Sequence, residues 1–171
     1  MAEGEDQAQG AAGEAQQSPR LSILTQYVKD MSFENPKAPQ GLQTAAQRPQ
    51  IEIKVDAGAR PIGEGQYEVA LQLNIEAKSA EATVFLLELA YGGVFVLANI
   101  PDDSLQPLLL IECPRLLFPF ARRIVADTTR DGGFPPLMID PIDFVTLYRR
   151  KIQEAQSQAQ AAEGDPNLGR A

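Results

Sequence analysis

Few side chains in this 171-residue sequence are suited to covalent or acid–base chemistry. Histidine, the commonest general base and metal ligand, is absent. The one cysteine, Cys113, has no histidine to lower its pKa and is followed by Pro114. It reads as a small core residue, not a nucleophile. A single cysteine makes neither an intrachain disulfide nor a thiolate zinc cage. Asp102 and Asp103 resemble a paired acid, but their place just after Pro101 and ahead of an apolar run suits helix capping better. Gly63-Glu64-Gly65 is too short for a phosphate loop, and no longer glycine-rich phosphate pattern occurs. The expectation is a protein that is not an enzyme, holds no metal or cofactor, and works by binding.

Charge narrows the kind of binding. Fifteen Lys and Arg against 23 Asp and Glu give a net charge of −8, which repels a phosphate backbone, so nucleic acid is not an expected partner. No apolar run approaches the roughly 18 residues of a membrane span. The start, MAEGEDQAQG, is acidic and lacks the apolar stretch of a secretory signal, so a cytoplasmic protein is expected. Residues 1–20 and 153–171 are poor in large apolar side chains and read as disordered or flexible tails. The Ala/Gln run at 153–162 is also able to prolong a preceding helix. Between the tails, 21–152 reads as one domain, acidic in 21–112 and basic in 113–152.

The elements that would position a binding surface follow from periodicity. Residues 50–56 and 67–77 alternate strictly, with Ile51, Ile53 and Val55, then Val69, Leu71, Leu73 and Ile75, on one face. That pattern predicts antiparallel strands buried on one side, joined through a loop at ARPIGEGQ. Residues 83–100 are apolar on both faces, so a strand there needs cover on both. Phe85, Leu87, Leu89 and Tyr91 share one face, and in a domain this small the second cover is expected to be another subunit. Gly92-Gly93 within the run predicts a bulge or bend. A weaker strand is expected at 21–33, followed by an exposed crossover through ENPKAPQG. Helix signals start after Pro101, with breaks or kinks expected at Pro114 and Pro119. Phe120, Ile124 and Thr128 recur at helical spacing before a stop at Gly132-Gly133. A second helix opens near Asp140 or Asp143, with Phe144, Leu147, Tyr148 and Ile152 on one stripe. The predicted class is α+β, a four-stranded antiparallel sheet followed by two helices.

Five local strings resemble the SecB protein-export chaperones: KDMSFENPKAP (29–39), YEVALQL (67–73), FLLELAYGGVF (85–95), CPRLLFPFAR (113–122) and GGFPPLMIDPIDF (132–144). They stand in that family's order and spacing and span essentially all of 21–152; the departures lie in the tails. The resemblance implies a cytosolic homotetramer, a dimer of dimers, which holds unfolded secretory preproteins and passes them to the SecA motor. It places a client groove between the crossover loop and the second helix, where this chain has Phe33, Leu42, Phe144 and Tyr148. It places the SecA contact on an acidic sheet face, at Asp30, Glu34 and Glu88 with Leu86 nearby. Glu88 is the most informative of these, because a charge within an otherwise apolar strand needs solvent or a partner. Two other readings stand beside it: a SecB-like chaperone of a toxin–antitoxin system, and a small-molecule-binding α+β domain with a closed pocket.

Overall fold

A computed structural model describes residues 18–40, 42, 49–79 and 82–163. Four strands come first: β1 (Arg20–Glu34), β2 (Gln50–Gly63), β3 (Gln66–Ser79) and β4 (Ala82–Ala98). They form one antiparallel sheet in the order β1-β4-β3-β2, so the connection leaving β1 must reach the opposite edge. The hairpin between β2 and β3 is tighter than the string ARPIGEGQ suggested. Pairing persists to Gly63↔Gln66, and Gly65 turns the chain with φ of 64°. The prolyl ring at Pro61 is tolerated because β2 is an edge strand, where a missing N–H is not needed for a ladder.

β4 runs straight through Gly92-Gly93 without a bulge; those glycines pair in unbroken register with Ala70 and Val69 of β3. Against β4 it is β1 that slips by one residue, between Ile23 and Thr25 and again between Val28 and Asp30. β4 has its own irregularity at Val84, where Phe85 pairs with Ala77 and Thr83 with Lys78. The glycines are required by crowding instead. A Cβ at Gly93 would lie 2.9 Å from Leu117 Cδ2, under the helix layer.

That layer is a continuous helical run: α1 (Asp102–Pro107), a π-helical segment Leu108–Glu112, and α2 (Cys113–Asp131). The expected breaks at Pro114 and Pro119 do not occur. The Cys113 N–H reaches back five residues to Leu108 O, and this wider turn relieves the clash between the Pro114 ring and the preceding turn. Asp102 and Asp103 sit in the first turn of α1, where they complement the helix dipole, and make no cap bond. The buried stripe of α2 is Leu117, Ala121, Val125 and Thr129, one residue away from the expected one. Phe120 is exposed, its ring stacked 6.4 Å from Tyr91.

After Gly132-Gly133 an extended segment leads to α3 (Phe144–Glu163). Asp143 caps it, accepting the Thr146 hydroxyl at 2.8 Å and the N–H groups of Thr146 and Val145 at 3.1 and 3.0 Å, which together hold its carboxyl below the usual range. The helix passes through residue 152, where composition marked the end of the domain. Lys151 fixes it to β2 by donating to Asp56 Oδ1 and Ala57 O at 2.8 and 2.7 Å. Residues 1–17 and 164–171 of the two expected tails lie outside the described residues.

The core lies between the sheet's inner face and α2. Val69, Leu71, Leu73 and Ile75 of β3 meet Phe85, Leu87, Leu89, Tyr91 and Phe95 of β4, with Leu117, Ala121, Val125 and Phe144 above them. Each such side chain contributes about 1.5–3 kcal/mol on burial. Ile51, Ile53 and Val55 do point inward, opposite Ala77, Ile75 and Leu73, but α2 lies over β3 and β4 and leaves the start of β2 uncovered. Ile51 and Ile53 are therefore exposed.

Candidate binding surfaces

This uncovered strip widens into an apolar groove of about 330 Å³, lined by Pro49, Ile51, Phe85, Phe134 and Pro135 to Leu137. Three segments far apart in sequence build it. The aromatic floor is a cluster in which Phe85 lies 5.8 Å from Phe33 and 5.0 Å from Phe134. Phe33 faces inward because it pairs with Leu87 on the inner side of β4. Its ring sits against the end of α2: a Cβ at Gly132 would lie 2.4 Å from Phe33 Cζ, so only glycine fits. Gly133 follows with φ of 88°, and Leu42 lies over it from the crossover.

The wall 134–137 is tied down by one hydroxyl. Thr129, fully buried, donates to Val125 O at 2.9 Å and accepts the Leu137 N–H at 2.9 Å. Phe134 N–H in turn donates to Thr129 O at 3.1 Å. The two prolines carry no N–H, so an extended segment containing them leaves few donors to satisfy beside an apolar surface.

Of the four groove residues the resemblance proposed, two lie beside the groove, although none is among the residues that line it. Phe33 and Leu42 flank the Gly132-Gly133 turn. Phe144 does not: it is 1% exposed and packs edge-on against Phe118, 6.1 Å away, inside the core. Tyr148, half-buried one turn along α3, is not among the groove's lining residues. The physical reason is that α3 packs on the π-helical segment. Helical spacing identifies an apolar stripe without saying whether that stripe lines an opening or closes a core.

The opposite, outer face of the sheet is polar. Register places Glu34 opposite Leu86, with Glu76 and Glu52 completing that row. The next row is Ser32, Glu88, Asn74 and Lys54, and the third is Asp30, Ala90, Gln72 and Asp56. Paired residues share a face, so Asp30, Glu34, Leu86 and Glu88 come together on one surface. Asp30, Glu34 and Glu88 are exposed, and Leu86 is half-buried.

The four residues assigned to a subunit interface are placed differently. Phe85, Leu87, Leu89 and Tyr91 are buried within the single chain, Leu87 completely, beneath its own helix layer. Their face of β4 already has its cover. Exposed apolar side chains outside the groove include Leu24, Val28 and Met31 of β1 and Leu116 and Phe120 of α2.

The sequence matches the family described as preprotein translocase subunit SecB over residues 14–155. A protein-export protein SecB of Bradyrhizobium sp. strain BTAi1 is 54% identical over 158 residues, covering 92% of this chain and 97% of the relative. One of Parvibaculum lavamentivorans is 55% identical over 146 residues, 85% of this chain and 87% of the relative. The chain belongs to the SecB family. A solved SecB-like chaperone of Mycobacterium tuberculosis, in complex with a ChAD peptide from the HigA1 antitoxin, superposes with a TM-score of 0.61. It shares 15% identity over 72% of this chain and 91% of its own, which shows the common fold.

For a SecB-family chain the remaining chemistry-bearing groups are quiet. SecB proteins are chaperones, not an enzyme family. Cys113 is fully buried and its thiol is pushed up to about 12, chiefly by burial, so it is not a thiolate at neutral pH. Among the described residues no group of three His, Cys, Asp or Glu is placed to hold a metal ion. Among the described residues no helix is long and apolar enough to cross a membrane. Reading the sequence missed Ile51, Phe134, Pro136 and Leu137 as groove residues. The signal was present in GGFPPLMID: an aromatic followed by two prolines and apolar residues forbids a helix, yet carries too much apolar surface for an ordinary solvent loop.

Proposed function

We propose that this chain is an export chaperone that keeps unfolded preproteins in its apolar groove and delivers them to SecA through the acidic sheet face. The observation that carries the reading is the groove itself: open, apolar, floored by aromatic rings and separate from the charged face. Such a surface accepts many sequences, because it reads side-chain bulk and not a pattern of donors. The protein-export names of relatives at more than half identity support export over a toxin–antitoxin role, since the antitoxin-bound neighbour shares only the fold. A small-molecule domain would need a closed pocket with convergent polar groups, and the groove is neither closed nor polar.

The active form is a homotetramer in the cytoplasm. One large client side chain contributes about 1.5–3 kcal/mol on burial, whereas association costs on the order of 4–15 kcal/mol. One groove is too weak alone, and several linked grooves act through effective concentration. The exposed apolar residues Leu24, Val28 and Met31 of β1, with Leu116 and Phe120 of α2, supply the subunit contact in place of the buried β4 residues. On the outer face Asp30, Glu34 and Glu88 meet a basic surface of SecA, with Leu86 giving apolar contact.

The test is whether purified protein delays refolding of a preprotein and binds SecA with an affinity that falls as salt rises. Salt dependence is expected because exposed charges are screened beyond about 8–10 Å near physiological ionic strength. No delay of refolding would overturn the reading.

A further inference from the structure

On the outer face three side chains from two strands converge on one carboxylate. Glu68 of β3 is 5% exposed, although among the described residues the helix layer packs on the other side of the sheet. Tyr27 Oη and Lys29 Nζ reach it from β1, passing over β4, and Arg60 Nε reaches it from β2. Beneath the Tyr27 ring β4 presents Gly92; a Cβ there would lie 3.0 Å from Tyr27 Cε2, so a larger residue would lift the phenol off its path.

Lys29 is the additional residue at the second slip of β1, between Val28 and Asp30. Without that slip Tyr27 and Asp30, three apart, would face opposite sides. With it, both face outward, and Lys29 stands beside Asp30 on the acidic surface. Yet Lys29 Nζ lies 3.1 and 3.0 Å from the two Glu68 oxygens. Glu52 and Glu76 on the same face are paired with Lys54 and Lys78. Among the described residues, none of Asp30, Glu34 or Glu88 has a Lys or Arg nitrogen within 4.0 Å.

We propose that Glu68 is a positioning residue for the acidic docking face: it takes up Lys29 so that this cation does not neutralise its neighbour Asp30. The face then offers uncompensated negative charge to a basic partner. This rests on reading that face as the SecA contact. Lys29 and Arg60 are 44% and 65% exposed in their side chains, so water can solvate both once Glu68 is neutral. Released, Lys29 is free to pair with its neighbour Asp30.

The experiment measures SecA binding to the full-length protein at low and high salt, with melting of each variant followed by circular dichroism. Glu68→Gln should weaken binding by about two- to fivefold at low salt, the range of an exposed ion pair, and flatten the salt dependence. Adding Lys29→Gln to Glu68→Gln should restore binding. Glu64→Gln removes the same charge at the exposed hairpin and should change affinity by less than about twofold. Lys29→Gln alone should also stay within about twofold, because Glu68 already holds that cation.

Three outcomes would overturn the proposal: wild-type binding by Glu68→Gln, a double variant as weak as the single, or a several-fold gain from Lys29→Gln. The last arm decides the matter alone if Glu68→Gln does not fold. A purely strand-tying role for Glu68 would lower the melting temperature without moving the salt dependence. Glu88→Lys and Asp30→Lys run in parallel. Normal SecA binding by both removes the acidic-face reading and this proposal with it, whereas loss in both beside a wild-type Glu68→Gln removes this proposal alone.

Discussion

Thr129 Oγ1 accepts the backbone N–H of Leu137 at 2.9 Å, and through this bond the buried stripe of α2 positions the wall of the groove. Thr129→Val keeps the shape and removes the acceptor, leaving the Leu137 N–H unpaired beside an apolar surface. The expected loss is about 1–3 kcal/mol, and Thr129→Ser should recover most of it. Thermal unfolding checks the size. Client affinity measured on folded protein should fall for Thr129→Val, since the displaced segment carries Phe134 to Leu137.

Phe144 and Leu87 are core residues and should behave as such. Phe144→Ala should cost about 3–5 kcal/mol of stability while client affinity per folded molecule stays unchanged. Leu87→Asp should prevent folding, because an uncompensated charge would be buried under α2, and not yield a folded, dissociated subunit. Unfolding curves with light scattering distinguish these cases. A folded, stable Leu87→Asp monomer would return that residue to a subunit interface.

Much of this was legible in the sequence. Alternation in β3 gives its buried face correctly, because both sides of that strand have neighbours and the core lies directly above it. Asp143 is readable as a cap from its place before Phe144. Other features depend on what packs above or beside an element. Ile51 alternates as cleanly as Leu73, yet one lines an open groove and the other is sealed, since α2 covers only the middle of the sheet. Phe120 repeats at helical spacing, but the π-helical segment before Pro114 fixes where α2 begins its contact with the sheet, and the buried stripe is Leu117, Ala121 and Val125. The acidic face was found through resemblance; alternation alone places Glu88 opposite Leu87 in sense without naming its neighbours on β1.

The carboxyl of Glu68 is held at about 2, against 4.5 when unperturbed, first by Arg60 and then by Tyr27 and Lys29. A carboxyl with a depressed folded-state pKa stabilises the fold fully above its unfolded value and loses that contribution as pH falls toward the folded one. Acid unfolding of wild type and Glu68→Gln should therefore differ by a constant margin from neutral pH down to about pH 5, then converge toward pH 2. A margin unchanged at pH 2 would show that the carboxylate's charge is not what stabilises the sheet.

The most direct test of two separate working surfaces pairs one variant on each, in the full-length protein, against an unfolded preprotein and against SecA. Leu137→Glu places a charge in the groove, and Glu88→Lys reverses one on the outer face. The account predicts that Leu137→Glu loses preprotein binding and still binds SecA, and that Glu88→Lys holds preprotein normally and loses SecA. Unchanged preprotein affinity in folded Leu137→Glu would contradict it.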